Sequence, residues 1–359
     1  MNRSFIRMPG TCIPLASLAF ALCVTGTAKA ADCAPPTLLN SLPMEQMPDS
    51  DTMAVQATIE GHSAKLLIGI ADGSQLWNTQ AEKLGLAVRE GRRMMDGGGR
   101  FSEDVARVGS LSLGSMETGN FVTQIGADPD FGGSDGVLGT DMMMRYDIDL
   151  DFAHQRMNYF TAEQCEGAGV YWAPGKVTPV KMAAYADVVF VPVNLDGHTI
   201  IAALDTTADR TFLNPRLADK LFGLKPESLA PGSVRDSGAL MKAGMRKFSS
   251  LSFGGLTFNN PEIAIPFDTL SQNTREFHAR KTARDTYYLS EFLPDMIIGM
   301  DVLKQTHLYI SFQDQRVYVS PAGDGQPLAA TPAKTSWFNV WRHGYDTYLY
   351  PGRRPFFSL

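Results

Sequence analysis

The amino-acid sequence repeats itself, and the repeat limits what the chain can fold into more than any other feature. Strand-like alternation in Ala54-Val55-Gln56-Ala57-Thr58-Ile59 leads through the turn Glu60-Gly61-His62 into a second apolar run, Ser63 to Ile68. The order returns as Val189-Phe190-Val191-Pro192-Val193-Asn194-Leu195, the turn Asp196-Gly197-His198, and Thr199 to Leu204. Read without a gap, Gly61-His62 falls on Gly197-His198 and Asn78 on Asn214. Short helical stretches follow, Ala81-Glu82-Lys83-Leu84 and Ala218-Asp219-Lys220-Leu221, then glycine-bearing hairpin tips, Asp96-Gly97-Gly98-Gly99 and Asp236-Ser237-Gly238-Ala239. Ser110-Leu111-Ser112-Leu113-Gly114 matches Ser250-Leu251-Ser252-Phe253-Gly254, and Val137-Leu138-Gly139-Thr140-Asp141 matches Ile297-Ile298-Gly299-Met300-Asp301. Each half closes on a hairpin, turning at Gln155-Arg156 and at Gln315-Arg316. Matched blocks in one order, at nearly constant spacing, predict a tandem duplication of an all-β unit of lobe size.

The divisions follow from composition. Residues 1–30 read as an export signal: Arg3 and Arg7, the apolar run Ile13 to Val24, and Ala28-Lys29-Ala30 as a cleavage site. The expected destination is across the inner membrane, in the periplasm. Residues 31–52 are a Pro-rich lead-in, 53–160 the N-terminal lobe, 161–186 a Gly/Pro/Ala linker, 187–321 the C-terminal lobe, and 322–359 a linker and aromatic-rich tail. No later stretch is apolar enough to span a bilayer. With 44% hydrophobic and 19% charged residues the 359-residue chain is a folded one. Its net charge of -6 excludes broad nucleic-acid binding, which needs a basic surface. The mature chain keeps Cys33 and Cys165, and export predicts a disulfide between them. Two cysteines are too few for a four-thiolate metal site, and no histidine spacing supplies another; no metal or cofactor is expected. Asp147, Asp149 and Asp151 alternate along a strand and share one face, read as a solvated face, with calcium ligation as the alternative.

One carboxylate stands out. Asp205 ends the run Thr199-Ile200-Ile201-Ala202-Ala203-Leu204 and begins Asp205-Thr206-Thr207-Ala208. A carboxylate at the tip of a buried strand is costly to desolvate unless it is paired or used. This lettering, the glycine-tipped hairpins and the later apolar-apolar-Gly turns at Gly139 and Gly299 resemble, in both halves, the aspartic peptidases of the retropepsin and pepsin kind. The resemblance implies two pseudo-twofold-related β-barrel lobes with few short helices and a central cleft. Each lobe of that family gives one aspartate, and the pair shares a proton and activates water. Gly97, Gly98, Gly99 and Gly238 would then be flap tips, contacting an extended peptide together with Thr206, Thr207 and Gly69.

The sequence departs from that pattern where the chemistry sits. Thr207 stands where the family has glycine. In the first half Gly69 falls on the aspartate, Ile70 on the threonine and Ala71 on the glycine, with Asp72 three residues late. Three readings stay open. The cleft survives as a peptide-binding groove with hydrolysis lost or impaired; Asp72 swings into the place left by Gly69 to form a shifted catalytic pair with Asp205; or two chains bring their Asp205 loops together. The first is preferred and the second is its alternative, with a monomer as the expected state. An envelope structural role for the aromatic tail is a weaker third class of function.

Overall fold

The structure, a computed structural model, describes residues 36–95, 101–129, 133–162, 170–173, 176–185, 188–236, 239–267, 294–324 and 335–336. The expected signal 1–30, Cys33 and Cys165, the flap-tip glycines 97–99 and 238, and the tail beyond 336 lie outside the described residues.

The strands of the first half are β1 (Leu38–Gln46), β2 (Met53–Ile59), β3 (His62–Gly69), β4 (Gln75–Trp77), β5 (Val88–Met95), β6 (Phe101–Val108), β7 (Leu111–Leu113), β8 (Met116–Thr118), β9 (Phe121–Gly126), β10 (Gly136–Gly139), β11 (Asp147–Asp151) and β12 (Arg156–Phe160). Next come β13 (Pro179–Lys181), β14 (Ala183–Tyr185), β15 (Val188–Leu195), β16 (His198–Leu204), β17 (Phe212–Leu213), β18 (Ala230–Asp236), β19 (Ala239–Lys247), β20 (Ser250–Phe253), β21 (Leu256–Asn259), β22 (Glu262–Pro266), β23 (Met296–Ile298), β24 (Thr306–Ser311) and β25 (Arg316–Pro321). The α-helices are short: α1 (Asn78–Lys83), α2 (Pro215–Phe222) and α3 (Met300–Leu303).

The fold is all-β and two-lobed, and the repeat read from the sequence is a repeat of topology. The first half runs β2-β3-β10-β4-β9-β6-β5 and the second β15-β16-β23-β17-β22-β19-β18, the same order strand for strand. In each, a late strand slips in parallel beside an early one: β10 beside β3 and β23 beside β16. The opening hairpins turn on Glu60-Gly61 and Asp196-Gly197, where all four residues have positive φ. That is the requirement of a two-residue primed turn, and it explains the glycine at the second place.

The gapless reading fails at one point. Trp77 N–H donates to Asp135 O (3.1 Å) and Asn214 N–H donates to Asp295 O (2.9 Å), so Trp77, not Asn78, is the counterpart of Asn214. The second loop, Ala208 to Thr211, is one residue longer than Asp72 to Ser74. The longer loop contains Asp209, whose N–H donates to Arg235 O (2.9 Å) while Arg235 N–H donates to Asp209 Oδ1 (2.8 Å). This reciprocal pair fastens β18 to the loop.

Between the lobes lies a shared layer, β13-β25-β24-β11-β12-β1. Its joint is the antiparallel pair β11–β24, with Ile148 opposite Ile310 and Leu150 opposite Leu308. Those four side chains are fully buried in an apolar core continuous with both halves. β1 lies in the lead-in segment and β13 and β14 in the linker, so both segments carry strands as well as connections.

The other face of β11 corrects the expectation of a solvated carboxylate row: Asp147, Asp149 and Asp151 are 0%, 0% and 3% exposed. Strand alternation alone cannot show which face is covered. Here Val170, Tyr171 and Trp172 of the linker pack against that side, with Phe160 and Tyr309.

Gly139 and Gly299 are fixed by close backbone approach. A Cβ on Gly139 would lie 2.3 Å from Ser74 N, and one on Gly299 2.4 Å from the carbonyl carbon of Arg210. Gly139→Ala and Gly299→Ala are each expected to lower stability by about 1–3 kcal/mol or more in urea unfolding, because backbone cannot yield as a flexible side chain can.

Candidate active site

The parallel pairs set the site. Leu138 pairs with Ile68 and Gly139 with Gly69; Ile298 pairs with Leu204, and Asp205 N–H donates to Ile298 O (3.0 Å). Register therefore puts Gly69 and Asp205 at the same place in their halves, each at the end of an apolar strand where the chain must turn away.

Both turns are held by the same device. Ser74 N–H and Oγ–H donate to Asp141 Oδ1 (2.9 and 2.6 Å), and Gly139 N–H donates to Ser74 Oγ (2.9 Å). Thr211 N–H and Oγ1–H donate to Asp301 Oδ1 (2.8 and 2.7 Å), and Gly299 N–H donates to Thr211 Oγ1 (3.1 Å). Burial raises the carboxyls of Asp141 and Asp301, opposed by these hydrogen bonds. The hydroxyl–carboxylate pairing was not identified from the sequence. Its signal was there, a Ser or Thr just ahead of β4 and β17 and an Asp two residues after each glycine.

The two loops meet. Thr206 Oγ1 donates to Ile68 O and accepts from Ile70 N–H (3.2 Å), joining the second-half loop to the first-half backbone. The return contact is missing because Ile70, at the matching place, has no hydroxyl. Asp72 turns back over Gly69: a Cβ built on Gly69 would lie 3.2 Å from Asp72 Oδ2. The absence of a side chain at 69 is what leaves room for that carboxylate.

Thr207 completes the arrangement. Its Oγ1 lies 2.7 Å from Asp205 Oδ1 and 2.8 Å from Asp72 Oδ2. Asp205, Thr207 and Asp72 are 1%, 1% and 3% exposed. A hydroxyl has one proton to give, so it can donate to only one of these oxygens. The second contact then needs a proton from the other carboxyl, so the pair holds at least one proton between them. Asp205 Oδ1 also accepts from Thr207 N–H (2.8 Å) and Ala208 N–H (3.2 Å), while Oδ2 is buried without a hydrogen-bond partner. Burial first, and then the nearby Asp72 charge, push the Asp205 carboxyl up to about 7 against the bonds to Thr207 and Ala208.

Of the residues expected at the site, Asp205, Asp72, Gly69, Thr206 and Thr207 come together; Gly97, Gly98, Gly99 and Gly238 lie outside the described residues. The β5–β6 and β18–β19 hairpins that lead to those glycines are both present. No group of three or more His, Cys, Asp or Glu among the described residues could hold a metal ion. No helix among them is long and apolar enough to cross a membrane.

The aspartyl protease family profile matches residues 191–302, which hold Asp205, the β18–β19 hairpin and the Gly299 turn. The second half therefore has an aspartic-peptidase-like fold, and the first half repeats its strand order. No curated protein sequence matches the chain. Similar solved structures include the aspartic proteinase from Irpex lacteus, at 11% identity and a TM-score of 0.45 over 82% of this chain and 99% of that one. Another is conglutin gamma, a basic 7S globulin from lupine seeds, at 10% identity and a TM-score of 0.43 over 79% and 95%.

Two outcomes are expected. Gly69→Ala puts a methyl against Asp72 and 2.5 Å from Val137 Cγ1, and is expected to destabilise by about 1–3 kcal/mol in urea unfolding. The raised Asp205 carboxyl means the folded chain keeps a proton that the unfolded chain releases. Its stability contribution is complete below pH 3.8 and falls as pH rises to about 7. Asp205→Asn is expected to remove that part of the slope in thermal unfolding across this range.

Proposed function

We propose that the protein binds an extended peptide segment in the cleft of an aspartic-peptidase-like fold without hydrolysing it, acting outside the inner membrane. One observation carries this reading: Thr207 Oγ1 touches one oxygen of Asp205 and one of Asp72. Aspartic hydrolysis needs a water between its carboxylates, deprotonated by one while the other protonates the carbonyl oxygen. A side-chain hydroxyl holds that point here, fixed to the backbone and buried with both acids. The hydroxyl thus takes the point between the acids where that water would sit. Peptide binding is supported by the fold itself and by the paired hairpins on either side.

A second reading, hydrolysis by Asp72 with Asp205, is supported by the shared proton. It requires the Thr207 hydroxyl to leave the space between the acids. The two readings separate in one experiment with a fluorogenic peptide library across pH 4–7. The wild-type protein is expected to retain peptides without cleaving them. Thr207→Gly, which removes the hydroxyl and restores the family's glycine, is expected to gain pepstatin-sensitive cleavage that Asp205→Asn abolishes. Wild-type cleavage, lost in both Asp72→Asn and Asp205→Asn, would overturn the binding reading.

A further inference from the structure

A second buried acid lies in the layer between the lobes, away from the site above. His307 on β24 is 2% exposed and Asp149 on β11 is 0% exposed. His307 Nε2 is 2.7 Å from Asp149 Oδ1, and His307 Nδ1 is 2.8 Å from the backbone carbonyl of Asp324. With Asp149 ionised both partners are acceptors, and both ring nitrogens then carry protons, as an imidazolium. The other oxygen of Asp149 accepts from Asn158 Nδ2 and Tyr171 Oη, each at 2.8 Å. Trp172 lies flat on the imidazolium, ring centroids 3.7 Å apart and planes 7° apart, a placement that favours a cation.

We propose that Asp149 and His307 form a proton-held clasp that fastens the joint between the lobes, the linker and the start of the C-terminal extension, and that rising pH opens it. Each part is held through the same ring. β11 and β24 contribute the two charges, the linker contributes Tyr171 and Trp172, and Asp324 is the carbonyl just beyond β25.

The surroundings set the direction. On β11, Asp151 lies opposite His307 in the register and is bonded to His154 of the adjoining turn (2.7 Å), and Asp147 accepts from Tyr309 Oη (3.1 Å). β12 presents Asn158 and, opposite Asp151, Arg156; β25 presents Ser320 opposite His307 and Tyr318 opposite Tyr309. Burial alone lowers the imidazole, but the bond to and charge of Asp149, the Asp324 carbonyl and the Asp151 charge outweigh it, and the ring is raised above its ordinary 6.5. The folded chain therefore keeps a proton that the unfolded chain loses. The clasp is complete below pH 6.5 and is released as pH climbs through the raised value. Deprotonation leaves a buried carboxylate with a neutral ring that can donate to only one of its two acceptors, so one contact must break.

The test measures thermal unfolding from pH 6 to 9 in an Asp205→Asn background, which removes the Asp205 contribution. The Asp205→Asn parent is expected to lose at least about 2 °C more across this range than the same protein carrying His307→Gln. Nitrogen-15 NMR of the wild-type ring is the second measurement, and it does not depend on whether His307→Gln folds. Two protonated ring nitrogens at pH 7 support the clasp. One bare nitrogen at pH 7, or an equal pH slope in His307→Gln, would overturn it.

Discussion

The site depends on one hydroxyl between two buried acids. Thr207 Oγ1 is bonded to Asp205 and Asp72 from opposite lobes, and hydrogen-bond stoichiometry requires at least one proton on the pair. Two ionised carboxylates flanking one hydroxyl would leave one lone pair facing another in a buried, low-dielectric place. The raised Asp205 carboxyl is the same constraint expressed as a titration. Everything around the acids serves to hold them there. Thr206 joins the loops, the Ser74–Asp141 and Thr211–Asp301 pairs hold each turn, and glycines 139 and 299 let the inserted strands come close.

The duplication explains why the two halves share a frame while their loops at the site differ. The two halves keep the same strand order, the same hydroxyl–carboxylate brace and the same hairpin turns. They diverge along the whole loop, Gly69-Ile70-Ala71-Asp72 against Asp205-Thr206-Thr207-Ala208, and in the extra residue of the second loop. Gly69 and Asp72 act together: with no side chain at 69, Asp72 has the volume it occupies, and there it meets Thr207. Restoring an aspartate at 69 alone would therefore crowd Asp72 rather than rebuild an ordinary pair.

Much of the fold was legible because repetition is a strong signal. The two hairpins with glycine turns, both short helices, the inserted strands and the closing hairpins could all be placed from matched lettering. The equivalence of Gly69 and Asp205 also came from lettering, and strand register places them alike. What was not legible depended on contacts far apart in sequence. The one-residue difference between the loops was hidden because asparagine at 78 and 214 coincided in a gapless alignment. Burial of Asp147, Asp149 and Asp151 follows from the linker lying over them, and alternation cannot reveal which face is covered. That Asp72 turns toward Thr207 rather than solvent depends on the empty volume at Gly69, which is a property of packing.

The central claim is that a side-chain hydroxyl, and not a water, lies between the two acids. Neutron diffraction from deuterium-exchanged crystals near pH 5 tests it directly, because it shows the hydrogens as well as the oxygens. The expected map has Thr207 Oγ1 in contact with both carboxyls, one deuteron on that oxygen and one shared deuteron on the pair. A D2O molecule between Asp72 and Asp205, with Thr207 turned aside, would contradict it.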